Sequence, residues 1–399
     1  MVGLMLKVLV WHIVLILAIA IYPWKIDFSP TAYDVSHQPL EGALSPNTLL
    51  ESIEFLHRGK FLGPESLDIF GETIYTGVYG GYILAIGGTG IQKITRIGSE
   101  CRGLFDQETC GRVLGLRVNY DGSKLLVADA YHGIYMVDTA SGESDVIVRR
   151  GSVVQDRRLQ LLNDVVSDAN GVIYFTESSN KYPLYKIVWS LMEHDASGRV
   201  LAYDPTRRQM RVLVDHLVCP NGIQLTHDGK ALLVSETGRF RIIRYHLDGD
   251  KKGTFDVFAQ NLPGEPDNIR KSTTGGYWVA FANGRSQRTL SDVLSGYPLV
   301  RLGVVRLAHA IGEAVRVIAD LSDSASLHEL AAYFGNGWVF YDQLPRYGLV
   351  VELDANGAVK RSLHAPSGSI NFISEVLEHD GYLYLGSFRN DFIGKVKLD

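Results

Sequence analysis

Short apolar strands alternate with polar, glycine-containing turns along most of the chain. A polar loop, an Ile, Leu or Val, a Gly/Asp turn and an aromatic or β-branched run recur as a unit. Units open near Gly63, Gly115, Leu162, Pro220, Pro266 and Ile373, about 45–60 residues apart except before the last. Asp121-Gly122, Asn170-Gly171, Asp228-Gly229 and Asp380-Gly381 fall between paired runs. Such pairs supply the positive φ of a tight hairpin. Paired short strands at this period predict an all-β fold of propeller blades, each a four-stranded sheet around a central channel. No 3.6-period segment is long enough to build α/β layers. The repeats are too long for a parallel β-helix. The long interval before Ile373 contains Ser291–Leu302 and Arg306–Ala332, whose mixed periodicity predicts a helical insertion.

The N-terminus breaks the pattern. Val8 to Tyr22 is apolar apart from His12, with Lys7 before it and Pro23, Trp24 and Lys25 after it. The run approaches the ~20 residues of a spanning helix. Ala18-Ile19-Ala20 offers a signal-peptide cleavage site, which would release the chain as a secreted protein. The aromatic end at Tyr22 and Trp24 favours an uncleaved signal anchor. The expected organisation is a cytoplasmic tail (1–7), a transmembrane helix (8–24), a juxtamembrane linker (25–60) and a propeller domain (61–399). This is a single-pass type II arrangement with a lumenal or extracellular propeller, although no Asn-x-Ser/Thr sequon is present.

Composition narrows the class. With 46% hydrophobic and 21% charged residues among 399, the chain is globular. A net charge of −5 with interspersed signs excludes a basic nucleic-acid footprint. Cys101 and Cys110 bracket a short polar segment and leave Cys219 over. That spacing alone leaves a small disulfide loop and free thiols both open, and a lumenal compartment favours the disulfide.

Four of the repeat starts carry an oxygen donor at matching phase: Glu65, Asn163, Asn221 and Asp267. Equivalent positions of different blades approach the central axis, so these four are expected to share one ion. Two carboxylates and two amide oxygens suit Ca²⁺, with room left for water or substrate. Neither thiolates nor imidazoles gather as zinc would require. Asp164 and Asn268 are candidates to orient the donors or add one. Asn and Asp are also common turn formers, so each residue alone carries little weight. Asp168-Ala169-Asn170-Gly171 and Asp354-Ala355-Asn356-Gly357 read as turns. Gly-x-Ser-x-Gly, His-Glu-x-x-His and phosphate-loop motifs are missing. Among the histidines near turns (His132, His227, His364 and His379), His132 is the first to test as a base.

Further motifs carry a resemblance. Cys110-Gly111-Arg112-Val113-Leu114-Gly115-Leu116-Arg117, Val127-Ala128-Asp129-Ala130-Tyr131-His132-Gly133, Pro220-Asn221-Gly222, Pro263-Gly264-Glu265-Pro266-Asp267-Asn268-Ile269-Arg270 and Glu378-His379-Asp380-Gly381 occur in order. With these, residues 50–399 resemble the strictosidine synthase-like family. Pro345-Arg346-Tyr347-Gly348-Leu349-Val350 and Gly386-Ser387-Phe388-Arg389 resemble an animal branch that carries an N-terminal anchor. The resemblance implies a six-bladed propeller related to paraoxonase and gluconolactonase. It implies a catalytic calcium on Glu65, Asn163, Asn221 and Asp267, and a Cys101–Cys110 disulfide. Two departures count against close functional identity. Ser374 falls where the plant synthases place the glutamate that handles the amine. The paraoxonase His pair has no clear counterpart.

Three functions therefore compete. The first is calcium-dependent hydrolysis of a small ester or lactone, with Asp267 activating water or attacking directly. The second is a non-catalytic binding or adhesion propeller with structural calcium. The third, strictosidine-type condensation, is disfavoured by Ser374.

Overall fold

In a computed structural model of the chain, residues 26–36, 38–103 and 106–398, together with Val14, are described. The tail and anchor expected over 1–24 lie outside that set apart from Val14. Among the described residues no helix is long and apolar enough to cross a membrane.

Among the described residues the recurring strand pairs form six four-stranded antiparallel sheets, all in one compact unit (His37–Leu184, Ala196–Gln287 and Pro345–Asp399). The first sheet runs Leu67–Phe70, Thr73–Val78, Tyr82–Gly87 and Gly90–Arg96, each strand pairing with the next. The following four sheets open with Val113–Val118, Leu161–Ser167, Pro220–Leu225 and Gly264–Lys271 in the same up-and-down order. The sixth takes Ile373–His379, Tyr382–Ser387 and Ile393–Lys397, and completes itself with Glu54–Leu56 from the other end of the chain. The opening strands of successive sheets touch one another, and that of the sixth touches that of the first. This closed cycle is propeller-like. The Asp-Gly turns behave as read, with φ of 75° at Gly122 and 69° at Gly229.

Most of the core lies between neighbouring sheets. Trp278, Ala280 and Val350 of the fifth sheet share a cluster with Ile373, Val376 and Leu383 of the sixth. Inner strands are therefore covered on both faces, and Ala231–Glu236 and Gly348–Leu353 are buried throughout. That is why the sequence there shows continuous apolar runs and not strict alternation.

Part of the stretch read as a juxtamembrane linker is built into the sheets. Glu54, Phe55 and Leu56 pair with Lys395, Gly394 and Ile393, and Leu50 and Ile53 pack into the cluster joining the last two sheets. The sheet-bearing region thus begins before residue 61. Its closing strand is only three residues long and partly exposed, too short to show a period. Leu50→Ala is expected to cost about 2–5 kcal/mol in a urea melt, as for a buried leucine. A linker residue would leave the midpoint unchanged.

The second compact unit comprises Tyr185–Asp195, Arg288–Leu344 and the described chain 26–36. The expected helical insertion is present as Leu290–Leu294, Pro298–Ser322, Ala325–Gly335 and Trp338–Tyr341. A Thr289/Asp292 capping box starts the first of these helices, and Ser324 caps the third. A short helix, Ile187–Glu193, joins them from within the third sheet's sequence and carried no sequence signal.

Candidate metal centre

The site is built from irregularities in the opening strands. Strand pairing skips Asn163-Asp164 in the third sheet, Asn221-Gly222 in the fourth and Asp267-Asn268 in the fifth. Each skip is a bulge that frees two residues from the ladder and re-aims their side chains. Smaller shifts fall at Leu114 in the second sheet and Ser374 in the sixth. Glu65 lies two residues before the first sheet's opening strand, its N–H bonded to the Gly77 carbonyl at 3.2 Å. Polar residues inside otherwise apolar strands are thus the mark of the bulges.

Two glycines let the bulged strands meet. A Cβ on Gly222 would stand 2.6 Å from Asn268 Cα, and one on Gly115 would stand 2.7 Å from Asp164 Cα. Any larger residue would push neighbouring opening strands apart.

Glu65, Asn163 and Asp267 are buried, and Asn221 is partly so. Each of the four keeps one buried oxygen without a hydrogen-bond partner: Glu65 Oε2, Asn163 Oδ1, Asn221 Oδ1 and Asp267 Oδ1. An unmade bond of this kind costs about 1–3 kcal/mol. Burial pushes the Glu65 and Asp267 carboxyls well above the usual range. Repulsion from Asp267 adds to the shift at Glu65, and repulsion from Glu375 and Asp164 adds to that at Asp267. The neighbouring Asn221 side chain partly offsets the shift at Asp267.

This donor set fits a hard dication. Among the described residues no three His, Cys, Asp or Glu side chains gather as a metal cluster. The set here has two carboxylates, and its other donors are carboxamides. A dication would satisfy the orphaned oxygens and offset the burial and mutual repulsion that raise both carboxyls.

Beneath the donors lies an ion-pair network that the sequence did not reveal. Asp164 Oδ2 accepts from Arg117 and Arg270 at 3.0 Å each and from the Ile223 N–H at 2.9 Å. Burial alone would raise the Asp164 carboxyl, but the two arginines outweigh it and hold it low. Arg270 also pairs with Glu375, which accepts from Ser66 Oγ at 3.1 Å. Asp164, read as an orienting residue or extra donor, therefore has one oxygen committed to arginines and Oδ1 unpartnered. Asn268 is fully buried with both side-chain polar atoms unpartnered. Ser374 Oγ donates to the Glu65 carbonyl at 2.6 Å and so braces the residue before the first sheet.

The other sequence candidates fall elsewhere. His132 lines a cavity of about 400 Å³ with Tyr135, Arg149, Arg150 and Gln160, and none of the four donors lines it. His227 bonds the Gly276 carbonyl at 3.0 Å. His364 sits between Tyr347 Oη and Ser362 Oγ, and burial pushes it down to about 4. His379 stands beside exposed Asp380. Asp168 and Asp354 bond backbone N–H groups of their own turns. Cys101 and Cys110 form a disulfide, and Cys219 is a buried thiol outside it.

Comparison with known proteins bears on the family and the fold. The strictosidine synthase model matches residues 163–250, which include Asn163 and Asn221. The model for the N-terminal part of strictosidine synthase-like proteins matches residues 42–86, which include the closing strand and Glu65. The Salmo salar adipocyte plasma membrane-associated protein is 38% identical over 97% of this chain and 88% of its own length. The Homo sapiens protein of the same name is 37% identical over 90% of this chain and 81% of its own. A gluconolactonase structure from Xanthomonas campestris superposes with a TM-score of 0.54 at 15% identity, covering 94% of this chain and 99% of that one. A luciferin-regenerating enzyme gives a TM-score of 0.52 at 12% identity, covering 87% and 97%. The structural likenesses carry the fold alone. On the identities and coverage of its relatives, this chain belongs to the strictosidine synthase-like family, with the adipocyte plasma membrane-associated proteins.

Proposed function

We propose that the chain is a six-bladed β-propeller that holds one Ca²⁺ on Glu65, Asn163, Asn221 and Asp267 and hydrolyses small esters or lactones. The observation that carries this reading is the set of four opening-strand positions, each with one buried, unpartnered oxygen. Calcium, when bound, supplies a Lewis-acid centre for a carbonyl or phosphoryl oxygen. Asp267, beside Asn221, is the group to accept a proton from water or attack directly. Asp164, braced by Arg117 and Arg270, fixes the bulge that carries Asn163. The gluconolactonase-like fold supports a lactone or ester substrate. The names of the relatives support a membrane location, and we assign residues 8–24 as the type II anchor.

The second reading, a binding propeller with structural calcium, is favoured by one feature. The histidines followed above all have their described contacts away from the four donors. Condensation of the plant type is disfavoured because Ser374 is a hydroxyl already bonded to the Glu65 carbonyl. The test uses purified full-length protein, metal analysis, and aryl-ester and lactone panels with and without EGTA. One bound calcium and turnover lost in EGTA and restored by calcium are expected. Calcium without turnover selects the binding reading, and absence of calcium removes both.

A further inference from the structure

The long helix Pro298–Ser322 is turned the unusual way round. Its buried positions are mostly small: Gly303, Val305, Ala308, Gly312 and Ala319, with Arg301. A Cβ on Gly312 would stand 2.6 Å from Gly335, so this helix and Ala325–Gly335 meet nearly backbone to backbone. Several of its large apolar residues face outward. Leu307, Ile311, Val317, Ile318 and Leu321 are between 39% and 84% exposed, and Ala314 is exposed with them. At 3.6 residues per turn these six fall within about 120° of arc over roughly 20 Å of helix. Arg306, His309, Glu313, Arg316 and Asp320 occupy a separate arc, and Arg316 pairs there with Glu313 and Asp320. An apolar stripe of this size on a surface marks a contact.

The chain itself indicates what covers it. Phe28 packs edge-on against Trp189, whose ring meets His309 of the long helix at 5.5 Å. The Thr31 N–H bonds the Glu193 carbonyl at 3.3 Å, and Arg301 donates to the Thr31 and Ser295 carbonyls. The segment that follows the apolar run Val8–Tyr22 is therefore fixed to this helix's own unit. Trp24 is four residues from Phe28, at most about 14 Å along an extended chain. Wherever that run enters a bilayer, the long helix is held beside it. An apolar stripe beside a charged arc suits this helix to lie along the surface.

We propose that Pro298–Ser322 is a membrane-surface helix, its Leu307–Leu321 stripe seated in the boundary between lipid headgroups and acyl chains. The occupant is the lipid bilayer, and the small-residue side packs against the neighbouring helix. This inference rests on the reading of residues 8–24 as an anchor and is independent of calcium and of hydrolysis.

Full-length protein in phosphatidylcholine vesicles, with an environment-sensitive fluorophore on Ile318→Cys or Lys251→Cys, tests it. Ile318 belongs to the stripe, and Lys251 is an exposed residue of the sheet-bearing unit. The probe at 318 is expected to shift to the blue and to be quenched roughly two- to threefold by nitroxide-labelled lipid, with neither effect at 251. A water-like signal at 318 overturns the proposal. A blue shift without lipid quenching also overturns it, in favour of a protein partner or a second copy.

Discussion

Asp267→Asn is expected to abolish calcium-dependent turnover and calcium binding in the micromolar range while leaving the metal-free protein at least as stable as the wild type. The substitution keeps the shape of a residue buried among Glu65, Glu375 and Asp164 and removes its charge. Two unit charges about 4 Å apart contribute about 4 kcal/mol even at an effective dielectric of 20. Losing one of two carboxylates should therefore weaken calcium binding by about a thousandfold. Without calcium the same change relieves repulsion. The pH dependence follows from the direction of the shifts. Glu65 and Asp267 have folded pKa values raised above their ordinary ones, so the folded state binds more protons than the unfolded chain. Their contribution is complete below about pH 4 and is lost as pH rises through the raised values. In EGTA, wild-type stability should fall as pH rises above about 4 more steeply than that of Asp267→Asn. Calcium at a hundred times its Kd should return about 2.7 kcal/mol to the wild type alone. Thermal melts across that range, with EGTA or calcium, provide the measurement. Parallel pH profiles and equal calcium shifts would remove Asp267 from the site.

The repeat was legible because each blade needs the same local chemistry: a turn with positive φ and two apolar runs of strand length. The donors were legible for a related reason. Asn163-Asp164, Asn221-Gly222 and Asp267-Asn268 interrupt apolar strands at the same phase, and the interruption is the bulge itself. The closing strand was hidden because it joins residues 54–56 to 393–395 and is too short for a pattern. Helix Ile187–Glu193 was hidden by its brevity within a strand-rich stretch. The Arg270 network was hidden because charge pairing between sheets leaves no spacing to read. Arg270 closes a motif already singled out, and Glu375 adjoins Ser374, yet 105 residues separate the two partners. Local chemistry marks where a donor sits. Which cation stabilises it is decided by closure of the cycle.

That network predicts the largest loss of stability from one substitution. Arg270 is 3% exposed and bridges Asp164 of the third sheet to Glu375 of the sixth. Burial works against its charge, but the two carboxylates more than compensate and raise its pKa. Arg270→Met leaves Asp164 with Arg117 and leaves Glu375 with Ser66 and backbone N–H groups alone. Removing one partner of a buried pair costs about 3–5 kcal/mol, because Glu375 is then left buried without the arginine it pairs with. Glu375→Gln on top of Arg270→Met should recover most of that loss, since no unpaired carboxylate then remains at that end. Arg270→Lys should recover less, because one ammonium cannot span both carboxylates as the guanidinium does. Added calcium should narrow the gap between Arg270→Met and the wild type, since a dication on Glu65 and Asp267 offsets the excess negative charge nearby. Urea unfolding in EGTA and in calcium measures all three comparisons. A loss below about 1 kcal/mol for Arg270→Met, or no recovery in the double variant, would show that the carboxylates beneath the donors are held by something other than this arginine.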